Sequence, residues 1–144
     1  MSVRTIRELL GERPLQSVSP DTPLSDAARL MASRGVGAVA VLDGDRLAGV
    51  LSERDIVFRA VARDLPPAET TAGAVMTADP VTVGADEAIS DALAAKLGDA
   101  FRHLPVLEDG RILGLLSYRD VPAEYLMMFE RFKEMSSAKP ADGA

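Results

Sequence analysis

Two four-residue segments, SERD (52–55) and SYRD (117–120), carry the side chains best suited to chemistry. Each places an aspartate three residues after a serine. A serine hydroxyl can donate to a phosphate or cap a helix, and an aspartate offers two acceptor oxygens that suit the 2′- and 3′-hydroxyls of a ribose. Where a strand runs directly into a helix at such a segment, free backbone N–H groups and the positive end of the helix dipole predict an anion site.

The S-x-x-D pattern has a second interpretation as a capping box, in which serine and aspartate satisfy two backbone N–H groups without any ligand. A glycine precedes each serine by three residues, at Gly49 and Gly114, and the two segments lie 65 positions apart. This repetition favours a ligand site over a simple cap. Both interpretations stay open, because the serine could serve both roles.

The two segments belong to an internal duplication. Residues 18–57 align with residues 83–122 without a gap, and 13 of the 38 pairs from Val18/Val83 to Asp55/Asp120 are identical. Random pairing at average composition would give roughly 3 identities. Upstream, TIRELLGERP (5–14) resembles TAGAVMTADP (71–80) at an offset of 66. The intervening VARDLPPAETTAG (61–73) contains a Pro-Pro pair and predicts a linker.

Each copy predicts the same order of elements. LQSV (15–18) is extended, SPDTP (19–23) is a turn, and LSDAARLMASRG (24–35) places apolar residues on one helical face and ends at Gly35. Two β-rich runs around Asp43-Gly44, and again around Asp109-Gly110, predict hairpins. SERDIVFRAVARD (52–64) then starts another helix. We therefore predict an α+β fold of two β-α-β-β-α repeats, with short sheets flanked by helices and packed with pseudo-two-fold symmetry.

Composition argues against several classes of function. The 144 residues are 47% apolar and 26% charged, as in ordinary globular proteins, and no apolar run approaches the roughly 18 residues of a membrane span. The absence of cysteine excludes disulfides, thiol catalysis and cysteine-zinc sites, and a single histidine leaves little for a metal. A net charge of −6 argues against nucleic acid and anionic lipid as partners. We expect a cytoplasmic protein.

The sequence resembles a tandem pair of CBS domains, named after cystathionine β-synthase, which together form a Bateman module. The resemblance covers nearly the whole chain and rests on VMTADPVTVGAD (75–86), RHLPVLEDGRILGLLS (102–117) and the strand-to-helix G-x-x-S-x-R-D of both copies. In that family the module binds adenine nucleotides or related adenosyl compounds in clefts between the two units. It usually regulates something else, so the resemblance implies a sensor.

The resemblance also implies roles for individual residues. The aspartates would bind ribose, the serines would line the ribose or phosphate edge, and the basic residues would reach phosphate, with Arg54 and Arg119 the weaker candidates. Backbone groups after the first strand of each unit often read adenine, and apolar residues would form its walls or belong to the core. The implied ligand-binding residues are Asp55, Asp120, Ser52, Ser117, Arg54, Arg119, Arg102, His103, Val18, Val83, Val36 and Phe101.

The two copies differ in charge where a phosphate would lie. Gly37 and Ala38 in the first copy align with Arg102 and His103 in the second. In the family, basic residues just before the LPV strand often reach the phosphates, so the resemblance implies two unequal sites. His103 has the alternative interpretation of a partly buried, hydrogen-bonded histidine.

After the second repeat, AEYLMMFERFKEM (123–135) predicts an amphipathic helix. Its apolar stripe consists of Tyr125, Met128, Phe129, Phe132 and Met135. The stripe could pack on its own module, across a dimer, or against another protein. The predicted boundaries are a first repeat at 1–62, a linker at 63–73, a second repeat at 74–123, this helix at 124–135 and a disordered tail at 136–144.

Three classes of function remain. The first is a non-enzymatic sensor that binds AMP, ADP, ATP, NAD or S-adenosylmethionine and acts on a partner protein or by changing its own assembly. The second is an interaction or dimerisation module without a physiological nucleotide. An enzyme comes third, because the repeated serines have no histidine in sequence-local reach and no Walker loop or metal motif is present. We expect a homodimer, with neither nucleic acid nor membrane as a partner.

Overall fold

The computed structural model describes residues 5–96, 102–121, 123–125, 127 and 131. Its elements are, in chain order, α1 (Ile6–Leu10), β1 (Ser17–Val18), α2 (Leu24–Arg34), β2 (Ala38–Asp43), β3 (Arg46–Ser52), α3 (Glu53–Arg59), α4 (Ala72–Val75), β4 (Thr77–Ala78), β5 (Val83–Gly84), α5 (Ile89–Lys96), β6 (His103–Glu108) and β7 (Arg111–Ser117). Helix α2 ends at Gly35 in the left-handed conformation, as its sequence predicts. None of the helices in these ranges has the length and apolar composition that a bilayer span needs.

The strands form two small sheets, with orders β1-β2-β3-β4 and β5-β6-β7. The parallel pairing of Val18 with Val41 in the first sheet recurs as Val83 with Val106 in the second. The register between β2 and β3 shifts directly after Val41, and the register between β6 and β7 shifts directly after Val106. The duplication thus preserves this local irregularity. The predicted architecture of two small sheets flanked by helices is confirmed.

The helix that precedes each repeat packs into the core of the other repeat. Ala72 of α4 is fully buried among residues of the first repeat, and Ile6 of α1 is fully buried among residues of the second. Backbone hydrogen bonds hold both helices, because Ala72 N donates to Thr22 O at 2.8 Å and Ile6 N donates to Glu87 O at 3.0 Å. Neither repeat therefore completes its core alone. Helix α4 begins within the predicted linker, and the predicted domain boundaries stay a prediction.

The repeated glycine of the strand-to-helix motif leaves room for these exchanged segments. A Cβ on Gly49 would lie 2.5 Å from the backbone oxygen of Thr77 in β4, which no rearrangement of a side chain could relieve. A Cβ on Gly114 would lie 3.0 Å from a methyl group of Leu10 in α1. Each glycine thus allows its repeat to pack closely against the segment that precedes the other repeat.

The two motifs continue differently. Ser52 caps α3 directly, whereas Ser117 is followed by a single 3-10 turn, Tyr118–Asp120, before helical structure at residues 123–125, 127 and 131. The sequence explains the difference, because Pro122 disfavours helical geometry at the residue before it, and Val57 stands at the equivalent position of the first copy. Tyr125 packs against the second core, which agrees with the alternative that the stripe packs on its own module. The other four residues of the predicted stripe lie outside the described residues.

Candidate functional site

Asp55 lies at the centre of the first strand-to-helix motif. Ser52 Oγ accepts a hydrogen bond from Asp55 N at 3.1 Å, and Asp55 Oδ2 accepts from both N and Oγ of Ser52 at 3.0 Å. The capping-box interpretation is therefore realised in the first copy. The other oxygen, Oδ1, accepts from Thr77 Oγ1 at 3.1 Å and lies 3.7 Å from Arg59 Nε. Because a carboxylate oxygen can accept two hydrogen bonds, Oδ1 retains capacity for a further donor.

The first amides of α3 are less available to an anion than the sequence suggests. Glu53 N donates to Gly37 O at 2.9 Å, and the amide of Asp55 is used by the capping serine. Arg54 is exposed and stacks over Phe58, with its guanidinium carbon 4.6 Å from the ring centroid. Basic side chains, rather than these amides, are therefore the stronger candidates to hold a phosphate at this end of the helix.

A cavity of about 650 Å³ opens beside Asp55. The first repeat contributes Ser52, Arg54 and Asp55 to its wall, and the second repeat contributes Arg102, His103 and Leu104. The volume lies within the roughly 300–1,000 Å³ of small-molecule pockets. The structure thus brings five of the predicted site residues to one cavity, because the motif of one repeat faces the start of β6 in the other.

The cavity wall is charged on both sides. Its lining residues include Arg54, Arg59 and Arg102 and also Asp55 and Asp79. A wall with both carboxylate acceptors and cations fits a ligand that carries both hydroxyl groups and an anion.

His103 connects this wall with the first repeat. A Cβ on Gly37 would lie 3.4 Å from His103 Nε2, so the imidazole lies against the residue directly before β2. Burial lowers the pKa of His103, and the nearby cation of Arg102 lowers it further, while the carboxylates of Glu53 and Asp120 oppose this shift. His103 is half-buried, which agrees with the burial that its alternative interpretation predicts.

Asp120 lies in the equivalent motif and has different partners. Its Oδ2 accepts from Ser117 N at 2.7 Å, and its Oδ1 forms an ion pair with Arg13 Nη1 at 2.6 Å. Ser117 Oγ accepts from Arg119 N at 3.2 Å, so the reciprocal serine bond of the first motif is replaced by a tighter turn. Neither aspartate oxygen is therefore without a partner, and Asp120 does not line the cavity beside Asp55.

The remaining predicted residues lie elsewhere. Val83 is buried in the second core, and Val18 and Val36 pack against the first core. These three side chains do not line the cavity, and Phe101 lies outside the described residues. Their predicted contact with adenine stays a prediction.

The segment from Thr77 to Val81 lines the cavity and contains the donor to Asp55, although none of its residues is among the predicted ligand-binding residues. The residues TADP (77–80) belong to VMTADPVTVGAD (75–86), a motif of the family resemblance, and the sequence places this motif in the second repeat. Because α4 packs into the core of the first repeat, the segment that directly follows α4 also lies against the first repeat. The weak sequence match between GERP (11–14) and TADP (77–80) indicates that the two segments occupy equivalent positions relative to the two repeats.

Comparison with known proteins identifies the family. A family model described as CBS domain matches residues 6–61 and 72–124. A CBS domain-containing protein of Arabidopsis thaliana is 34% identical over 136 residues, which cover 94% of this chain and 25% of that protein. The chain thus spans about a quarter of the length of its plant relatives.

Solved structures agree with this match. A CBS domain protein of Pyrobaculum aerophilum, complexed with AMP, has 28% identity and a TM-score of 0.76, covering 88% of this chain and 98% of that one. A CBS-domain containing protein of Agrobacterium tumefaciens has 30% identity and a TM-score of 0.73, covering 85% and 93% respectively.

Proposed function

Because this chain belongs to the CBS-domain family, we propose that it is a non-enzymatic sensor that binds an adenosyl ligand in the cavity beside Asp55. The observation that carries the proposal is the meeting of a ribose-type acceptor, Asp55, with Arg102 and His103 of the other repeat in one wall. The AMP found with the Pyrobaculum aerophilum protein supports the ligand class.

In the proposed complex each part of the wall has one task. A ribose hydroxyl donates to Asp55 Oδ1, where Thr77 now donates and where acceptor capacity remains. In the nucleotides of this class Arg102 binds the phosphate, and Leu104 contributes an apolar wall for the base. The proposal covers AMP, ADP, ATP, NAD and S-adenosylmethionine as a class, because all of them contain the same adenine and ribose.

Thermal unfolding in the presence of these five compounds tests the proposal, with GMP as the matched control. A ligand at a hundred times its dissociation constant stabilises the folded state by about 2.7 kcal/mol. We expect at least one adenosyl compound to raise the unfolding temperature and to be recovered unchanged by chromatography. Stabilisation by none of them would favour an interaction module without a nucleotide, and consumption of the compound would favour an enzyme.

We also propose that the chain acts as a homodimer, as the family resemblance implies. Val57, Phe58 and Val61, on and directly after α3, are 49%, 53% and 58% exposed. Apolar side chains grouped in this way on a surface are typical of an interface. A second copy of the chain would cover them.

A further inference from the structure

Arg13 follows α1 and makes three contacts through its guanidinium group. Nε donates to Leu10 O and Nη2 donates to Leu9 O, both at 3.0 Å, so the guanidinium is anchored on the last carbonyls of the helix. Nη1 lies 2.6 Å from Asp120 Oδ1. The cation is therefore held in place by the backbone before it meets the aspartate of the second motif.

Among the residues that the structure describes, no cation lies within hydrogen-bond distance of the equivalent aspartate, Asp55. Thr77 donates to it through a neutral hydroxyl, which can rotate away. Arg59 Nε lies 3.7 Å from Asp55 Oδ1, and Arg59 Nη1 donates to Met76 O at 2.8 Å. In the alignment at offset 66, the residue that corresponds to Arg13 is Asp79, which lines the cavity. Arg13, which pairs with Asp120, thus has an acidic counterpart in the wall of the cavity that Asp55 also lines.

Access of solvent does not explain the difference between the aspartates. The side chain of Asp120 is 20% exposed and that of Asp55 is 10% exposed. A ribose hydroxyl that binds Asp120 Oδ1 must share this oxygen with Arg13 or replace a charge-assisted bond, which is roughly twice as strong as a neutral one. At Asp55 it joins or replaces the bond from a threonine hydroxyl.

We propose that Arg13 occupies the ribose-binding carboxylate of the second motif, so that each chain binds one adenosyl ligand, beside Asp55, and not two. This inference rests on the proposed function. Arg13 would then determine the number of adenosyl sites in the chain through its ion pair with Asp120.

Calorimetric titration with AMP tests the inference by its stoichiometry. We expect one AMP per wild-type chain and two per chain for Arg13→Gln, which removes the cation and retains an amide for the carbonyls of α1. Arg13→Gln/Asp120→Asn should return to one. Arg29→Gln is the matched control, because Arg29 pairs with Asp26 on the exposed face of α2, and it should stay at one.

Two AMP per wild-type chain, or one AMP for an Arg13→Gln protein with a native circular dichroism spectrum, would overturn the inference. If that variant does not fold, Arg13→Met, which keeps the apolar stem, replaces it. Asp55→Asn in the wild-type background gives an independent result, because retention of the AMP affinity would place the ligand elsewhere. Absence of AMP binding to the wild type, together with no stabilisation by any of the five compounds, would instead reject the proposed function itself.

Discussion

Identical residues at equivalent positions acquire different properties from their neighbours. Asp55 accepts from a threonine hydroxyl, whereas Asp120 accepts from an anchored guanidinium. The serine-aspartate pair is a helix cap in the first motif and part of a tighter turn in the second. The motif alone therefore does not determine whether a ligand binds, and the residues that approach it from distant segments do.

Arg102 gives the first prediction at this scale. Arg102 lines the cavity, and a hydrogen bond to a charged group contributes about 1.5–3 kcal/mol, or roughly ten- to hundred-fold in affinity. Calorimetry should show that Arg102→Ala weakens the binding of AMP by that factor and the binding of adenosine much less. The loss should be smaller at high salt, because ions screen an exposed pair.

Arg46→Ala serves as the control for Arg102→Ala, since Arg46 is an exposed arginine of the first hairpin that pairs with Asp43. It should bind both compounds as the wild type does. Equal losses for AMP and adenosine in Arg102→Ala would mean that Arg102 supports the shape of the cavity rather than the phosphate, and the charge asymmetry would not set ligand preference.

His103 gives a prediction about pH. Burial lowers its pKa below the usual 6.5 in the folded state, so the unfolded chain takes up the proton first as the pH falls. The stability that neutral His103 contributes is complete above about pH 6.5 and is lost progressively below it. Urea unfolding should therefore give a lower free energy of unfolding at pH 5.5 than at pH 7.5. His103→Gln should reduce this difference, and an unchanged difference would show that other groups cause it.

At the scale of elements, the exchange of the helices α1 and α4 determines how the site is assembled. Helix α4 leads directly into β4, and β4 pairs with β3 at Gly49, which brings Thr77 to Asp55. Helix α1 leads into the loop that carries Arg13 to Asp120. The different partners of the two aspartates thus come from the two segments that pack against the other repeat, namely α4 with β4 and α1 with the loop after it.

The glycines of the motif give a prediction about packing. Gly49→Ala would force a Cβ against the backbone of β4, and overpacking of this kind costs about 1–3 kcal/mol. Gly114→Ala is the matched comparison, and it should cost less, because it meets only the end of the Leu10 side chain. Chemical denaturation measures both. A smaller loss for Gly49→Ala than for Gly114→Ala would contradict the crossing of β4 at this position.

Local elements of this fold could be predicted from the sequence because their signals are local. The left-handed end of α2 at Gly35 and the turn at Asp109-Gly110 depend on residues that lie within each segment. The contacts of Thr77 with Asp55 and of Arg13 with Asp120 join residues far apart in the chain. No periodicity or turn pattern reports such contacts, so the sequence predicted the motif residues of the site and not their partners.

At the scale of the whole molecule, the exposed apolar residues of α3 predict the state of assembly. Light scattering should give the wild type twice the 15.3 kDa of one chain, and Val57→Glu/Val61→Glu should shift the mass towards one chain because it places charges in the interface. Circular dichroism verifies that the variant is folded. A monomeric wild type at high concentration, with and without AMP, would assign this face to another role.

The central claim is that an adenosyl ligand binds beside Asp55, and titration of AMP into the wild type and Asp55→Ala tests it most directly. Loss of a carboxylate that accepts from a ribose should weaken binding at least about ten-fold, since a hydrogen bond to a charged group contributes about 1.5–3 kcal/mol. The hydrogen bonds from Ser52 N and Oγ to the Asp55 carboxylate are lost as well, so both proteins are measured well below their unfolding temperatures. Asp43→Ala, on the exposed hairpin, is the control. An Asp55→Ala protein that binds AMP as tightly as the wild type would contradict the claim.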